Sequence, residues 1–293
     1  MIRKEFIKIC NKVYQKGFVA STDGNLSQRI EQNKILITPS GKNKGELTEE
    51  DLLVIDLNGK LIEGSRKVST EVKMHLLAYT HRRDINAVVH AHPVYATAFA
   101  TAGRDLSDPI FPEVILSLGK VHLCEYGTPS TDELINPMVK FINDAWAMLL
   151  QNHGAVTFGK SLSDAYYKME KLEHAAKTIF IAELLGGVKK ISKDKLIKLL
   201  SIAHRTYGIY PNYKIDETPI VTSINEKREL AYDEKISYSQ IIDERLKARA
   251  GNNNIYPFKK INTINKINSG NTIKNLSKDE IDKIINEFNY RRD

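Results

Sequence analysis

Hydrophobic and polar positions change period along this chain, and each change marks an element. Near the start, Ile2, Phe6, Ile9 and Val13 recur at helical spacing, which predicts an amphipathic helix ending at Gly17. The period then shortens. "KILITP" and "LVIDLNGKLI" read as strands, and the Asn58-Gly59 pair in the second is a hairpin signal. "STEVKMHLLAYTHR" returns to a helical period with Ser69 placed as N-cap. "AVVHAH" reads as a strand, "VYATAFATAG" as a helix closing at Gly103, and "KVHLCEY" as a strand. "TDELINPMVKFIND" predicts a helix interrupted by Pro137, and "AMLLQNHGAVTFG" two strands around a turn. Two longer helices follow, "LSDAYYKMEKLEHAAKTIFIAELLG" and "KDKLIKLLSIAHRTYG". Strands interleaved with helices predict a layered α/β domain over residues 1–215, and the hairpin makes the sheet at least partly antiparallel.

The pattern loosens after residue 216. A moderately helical stretch leads into a segment from Arg245 to Lys278 with eight Lys or Arg and no Asp or Glu, rich in asparagine, so residues 216–275 read as a solvated linker. Residues 276–293 regain a helical period. Ser277 and Glu280 form a capping box, Leu276 and Ile281 a hydrophobic staple, and Ile281, Ile284, Ile285 and Phe288 one apolar stripe. A helix this short needs a partner surface.

Composition narrows the class. The 293 residues are 42% hydrophobic and 27% charged, ordinary for a soluble globular protein. No apolar run is long enough to cross a bilayer, and the amphipathic start is no secretory signal, so no membrane partner is expected. Cys10 and Cys124 define no disulfide framework and fit a reducing cytoplasm. The net charge of +7 accompanies a general richness in Lys, Asn and Ile without an aromatic-basic motif. It suits anionic small-molecule substrates rather than nucleic acid.

The chemistry gathers around "HAH". In a strand, His90 and His92 project to one face with Cα atoms ~7 Å apart, a good geometry for two ligands of one metal ion. A catalytic zinc-like site takes three protein ligands and keeps a position open. His153, beside Gly154 at a strand end, is the third candidate, although alone it reads equally well as a turn histidine. Glu71 lies at the start of the helix opened by Ser69 and Thr70, where free N–H groups and two hydroxyls favour an anion. Without the histidine pair, Ser69 would be a plain cap and Glu71 a plain dipole partner. The small-residue loops "STDGNLS" and "ITPSGK", with Gly24, Asn25, Ser40 and Gly41, fit an anion pocket in the same conditional way, and Lys42 alone is an ordinary surface charge. His75, His81, His122, His174 and His204 read as structural.

In order and spacing, "TDGNLS", "LITPSG", "EGSRKVSTEVKMHLLAY", "AVVHAHPVYATAFA", "LLQNHGAVTFG" and "RTYG" resemble the class II aldolase/adducin family, most like its L-fuculose-1-phosphate aldolase branch. The resemblance covers residues 1–215. It implies a three-layer α/β/α domain around a largely antiparallel mixed sheet, and a homotetramer with active sites between subunits. Residue by residue, it implies His90, His92 and His153 as ligands of Zn2+ (or Mn2+ or Co2+), with Glu71 beside the metal as acid/base and as a further metal ligand. It implies Gly24, Asn25, Ser40, Gly41, Ser69 and Thr70 as the phosphate cradle. Tyr207 corresponds to a tyrosine that reaches the neighbouring subunit's site and protonates the aldehyde oxygen. A second family tyrosine is missing: the stretch "SDPIFPEVILSLG" offers Glu113, which either enters the site or is merely an exposed acid.

The activity so implied is retro-aldol cleavage of a ketose 1-phosphate to dihydroxyacetone phosphate and an aldehyde such as lactaldehyde. Pentulose-5-phosphate 4-epimerases share the resemblance but carry Asp where this chain has Glu71. A methylthioribulose-1-phosphate dehydratase is a further alternative. An adducin-like interaction module would lack the three histidines. The charged linker and capped terminal helix resemble the encapsulation peptides of bacterial microcompartments, implying shell or cargo partners. The plainer expectation is that this helix packs on the domain or supports the oligomer.

Overall fold

The computed structural model describes residues 1–207 and Tyr213; the linker and terminal helix expected from the sequence lie outside the described residues. The strands are β1 (Asn25–Glu31), β2 (Lys34–Ile37), β3 (Leu53–Ile55), β4 (Leu61–Glu63), β5 (Ala87–Ala91), β6 (His122–Cys124), β7 (Ala147–Leu150) and β8 (Gly154–Gly159). The helices are α1 (Ile2–Gln15), α2 (Val72–His81), α3 (Val94–Thr101), α4 (Pro112–Ser117), α5 (Leu162–Leu184) and α6 (Lys193–Tyr207).

The strands form one sheet in the order β4-β3-β2-β1-β5-β8-β7-β6, antiparallel throughout except for the parallel β6–β7 pair. Alternation along the strands separates two cores, because neighbouring residues face opposite sides. Leu26, Leu36, Val54 and Val89 pack with Phe6, Ile9 and Val13 of α1 and with Met169 and Leu172 of α5. Ile35, Ile37, Leu53, Ile55 and Val88 pack with Met74, Leu77 and Ala78 of α2. The expected three layers follow directly. With both faces covered, β5 is buried along its whole length, which is why "AVVHA" is nearly continuously apolar.

Three local expectations are corrected. The helix expected from Ser69 begins at Val72 with Glu71 in the N-cap position; Ser69 instead accepts the Glu71 N–H on its hydroxyl at 3.3 Å. Residues 132–140 form two 3-10 segments, Asp132–Leu134 and Asn136–Lys140, rather than an interrupted α-helix. Pro137 lacks the N–H a longer helix would need. The stretch "STDGNLS" is a loop only to Gly24, since β1 starts at Asn25.

Two contacts brace the layers around the sheet's centre. Glu173 of α5 accepts the free N–H groups of Tyr95 and Ala96 at 3.0 and 2.9 Å, capping α3 just after His92. The Trp146 ring carries the Arg82 guanidinium 4.1 Å and the Lys168 ammonium 3.6 Å from its centre.

Candidate metal centre and active site

The central ladder brings the chemistry together. Asn25 of β1 pairs with His90 of β5, and Ala91 with Ala155 of β8, so the start of β1, the end of β5 and the start of β8 meet at one end of the sheet. His92 lies one residue past β5, its N–H bonded to the Phe18 carbonyl at 2.8 Å. His153 closes the tight β7–β8 turn, beside Asn152 with φ 55°. The two histidines of "HAH" and the distant His153 therefore converge, with ring centres 4.7 to 5.2 Å apart.

Each ring is held differently. The fully buried His90 has its Nδ1 3.0 Å from the Ala155 carbonyl, which keeps the proton there and leaves the Nε2 lone pair facing the site. His92 Nε2 lies 3.2 Å from His90 Nε2, while its Nδ1 faces the Asp23 carboxylate at 3.9 Å. His153 Nε2 lies 3.1 Å from Glu71 Oε1, and its buried Nδ1 has no hydrogen-bond partner among the described residues. Glu71 Oε2 is 3.5 Å from His90 Nε2. One nitrogen from each of the three histidines lies within 4.8 Å of the others. Three imidazoles that aim at one point, with a carboxylate alongside, fit a divalent cation.

The electrostatics keep the donors available. Burial pushes His90 down to about 3 and also lowers His92, so both rings are neutral near pH 7. Burial works against ionised Glu71, but the His153 hydrogen bond, the proximity of His90 and the Asn25 hydrogen bond outweigh it and hold the carboxyl well below its usual range.

Glycine makes the close approach feasible. A Cβ on Gly154 would lie 2.5 Å from the His92 ring and 2.7 Å from the Ala91 carbonyl. Gly154→Ala is therefore expected to displace His92 and destabilise the fold by about 1–3 kcal/mol, a typical overpacking cost. Thermal melting and metal titration of the variant would check this. Gly24, at φ 70°, is also demanded by packing, because its Cβ would sit 2.8 Å from the His90 carbonyl.

The expected anion cradle is brought together in part. The loop carrying Ser40 and Gly41 docks beside the start of α2: Pro39 bridges to Val68, and the Ser40 N–H is already engaged by the Lys67 carbonyl. Ser40 and Gly41 are exposed. Asn25 Nδ2 reaches Ser69 Oγ at 3.4 Å and Glu71 Oε2 at 2.7 Å. Thr70 is exposed, its hydroxyl accepting from Ser130 at 2.7 Å. Lys42 is more than a surface charge, since it pairs at 2.8 Å with the largely buried Asp51.

Sequence reasoning missed Lys44. Its buried ammonium donates to the carbonyls of Thr22 and Lys42 at 2.7 and 2.8 Å, tying together the two small-residue loops. His75 was expected to be merely structural, yet it joins the hydrogen bonds behind Glu71. Glu113 sits in the first turn of α4 with its side chain exposed, outside the histidine cluster of its own chain. Tyr207 ends α6; its side chain lies outside the described residues.

Residues 4–180 match the model of the class II aldolase and adducin N-terminal domain. The chain belongs to this family. The class II aldolase-family chain is 40% identical over 177 residues to the L-fuculose phosphate aldolase of Methanococcus maripaludis, covering 60% of this chain and 95% of that protein. It is 38% identical over 203 residues to the 3-oxo-tetronate 4-phosphate decarboxylase of Pectobacterium atrosepticum, covering 67% and 91%. Among solved structures, an L-fuculose 1-phosphate aldolase superposes with a TM-score of 0.63 at 33% identity, over 67% of this chain and 93% of that one. The histidine cluster thus belongs to a metal-dependent aldolase-type enzyme. No helix of the described residues is long and apolar enough to cross a membrane.

The buried rings make stability depend on acidity. Burial drops fully enclosed His75 to about 4, whereas an unfolded histidine titrates near ~6.5. Between those values the unfolded chain binds the extra proton, so the stability present above pH ~6.5 is lost as pH falls toward the folded value. The expected loss is on the order of 3 kcal/mol. It should appear as a falling melting midpoint between pH 7 and pH 5, with a shallower slope in His75→Gln.

Proposed function

We propose that the protein cleaves a ketose 1-phosphate, L-fuculose 1-phosphate or a close analogue, to dihydroxyacetone phosphate and an aldehyde such as lactaldehyde. The observation that carries this reading is Glu71. It is an ionised carboxylate 3.1 Å from His153 at the rim of the three-histidine site, beside the Asn25–Ser69 end of the anion cradle. A divalent cation, Zn2+ on this reading, held by His90, His92 and His153, would act as a Lewis acid for charge developing on the substrate's carbonyl oxygen.

The chain's own residues supply the rest. Asn25, Ser69 and the neighbouring loops hold the phosphate end. As the C3–C4 bond breaks, its electron pair moves to the three-carbon half as an enediolate, and the C4 hydroxyl loses its proton to become the aldehyde. Tyr207, from a neighbouring subunit of a homotetramer, is the group proposed to take that proton and to return it in condensation. Glu71, ionised at rest, takes up a proton to match the one that Tyr207 passes on to solvent, delivers it to C3, and removes it in the reverse direction. Among the described residues, the two lysines whose amine pKa is lowered by burial, Lys44 and Lys168, have their Nζ engaged in hydrogen bonds rather than poised for a Schiff base. Residues 216–275 are read as a linker and 276–293 as a helix that directs the enzyme to a partner such as a microcompartment shell.

A second reading is decarboxylation of a 3-oxo sugar-acid phosphate. The match to the decarboxylase extends over 203 residues, against 177 for the archaeal aldolase. Loss of carbon dioxide leaves the same enediolate and needs no proton moved from a C4 hydroxyl. One assay separates the two. Dihydroxyacetone phosphate release is measured from L-fuculose 1-phosphate and from 3-oxo-tetronate 4-phosphate, with chelator and with zinc restored. Chelator-sensitive release from the first substrate is the expected result. Release from the second alone would replace cleavage by decarboxylation, and release from neither would overturn both.

A further inference from the structure

A line of buried polar groups runs from behind Glu71 into the domain, and the metal centre accounts for none of it. Glu71, His75 and Tyr79 stand four residues apart on and just before α2, so they share one helix face. Asn25 and Ser27, two apart on β1, share the strand face opposite. The contacts are continuous. Tyr79 Oη lies 2.7 Å from Ser27 Oγ, Ser27 Oγ 2.6 Å from His75 Nδ1, His75 Nε2 2.5 Å from Asn25 Oδ1, and Asn25 Nδ2 2.7 Å from Glu71 Oε2. Asn25, Ser27, His75 and Tyr79 are all buried.

We propose that these groups form a one-directional hydrogen-bond chain that aims the Glu71 carboxylate, with His75 as its positioning residue. The direction follows from the end at the site. The Asn25 amide places its NH2, which only donates, against Glu71 and its carbonyl against His75. That carbonyl only accepts, so His75 carries its proton on Nε2. A neutral ring then has a lone pair on Nδ1, which accepts a hydrogen bond from the Ser27 hydroxyl, and the Ser27 oxygen in turn accepts from Tyr79. Every donor points toward Glu71. The opposite histidine tautomer would invert Asn25 and set its carbonyl against the carboxylate, so His75 holds Asn25, and through it Glu71, in one orientation.

The inference rests on Glu71 being the acid/base of the proposed reaction, and its test reads the ring as well as the rate. In the metal-loaded wild-type protein, nitrogen-15 NMR of the histidine side chains should find His75 protonated at Nε2 and bare at Nδ1. His75→Leu should lower kcat for dihydroxyacetone phosphate release on the order of 10–100-fold, as loss of a supporting hydrogen bond does, with metal content retained. KM should stay within about threefold. His75→Gln, whose amide can still donate to Asn25, should recover most of that rate. Tyr79→Phe, which removes one buried hydroxyl and little volume, should lower kcat by a smaller factor without loss of folding. An Nδ1-protonated or cationic ring overturns the proposal. So does equal impairment in His75→Gln and His75→Leu when both melt as folded proteins, or a loss confined to KM. If no sugar phosphate is cleaved, the proposed reaction fails while the tautomer still decides the chain's direction.

Discussion

His90→Ala is expected to leave a folded protein that binds no stoichiometric metal and releases dihydroxyacetone phosphate more than about 100-fold more slowly. That exceeds the range typical of losing a group that merely supports a ligand. The reason lies in the ring's two ends. Its Nδ1 is fixed by the Ala155 carbonyl, so its Nε2 cannot turn away from the site, and no other buried donor on β5 can replace it. Only His92 and His153 would remain, one held from a strand end and one from a turn. Elemental analysis after dialysis, read beside the melting temperature and the rate, would check the outcome. Metal retained with full activity would mean that the cluster is not the catalytic metal site.

Glu71→Gln should separate proton transfer from metal binding. The amide keeps nearly the same shape and can still accept from Asn25, so metal content should remain near wild type. It cannot carry a proton at neutral pH, and kcat should fall on the order of 10²–10⁴-fold, the usual range for loss of a general acid or base. Together, the two variants predict opposite patterns: metal lost in the first, metal kept and chemistry lost in the second. Equal metal loss in both would assign Glu71 a ligand role instead.

Much of this was legible before the fold was known. The strand period in "AVVHAH" put His90 and His92 on one side, and the NG hairpin and long helices pointed to a layered domain. Other features were hidden for identifiable reasons. β1 escaped notice because Asn25 and Ser27 are polar strand residues that face a buried network, so the usual apolar alternation is broken. The same network concealed His75. A histidine in an apolar helix reads as a filled core position until the i, i+4 spacing from Glu71 through His75 to Tyr79 is set against the Asn25–Ser27 pair. Lys44 looked like any loop lysine, because nothing local to "GKNKG" reveals that its ammonium meets the Thr22 carbonyl. The helix boundary moved from Ser69 to Val72 because the Ser69 hydroxyl satisfies the Glu71 N–H in a turn before the helix starts.

The pairing of Asn25 with His90 and of Ala91 with Ala155 has a consequence for how selectivity can change. His90 is held by an inner strand, where a shift of one residue would turn it into the opposite layer and dismantle the fold. Ser40, Gly41 and Thr70 lie on exposed connections outside the strands. Mutation can therefore vary those connections, where the proposed phosphate contacts lie, without disturbing the strand register that places His90.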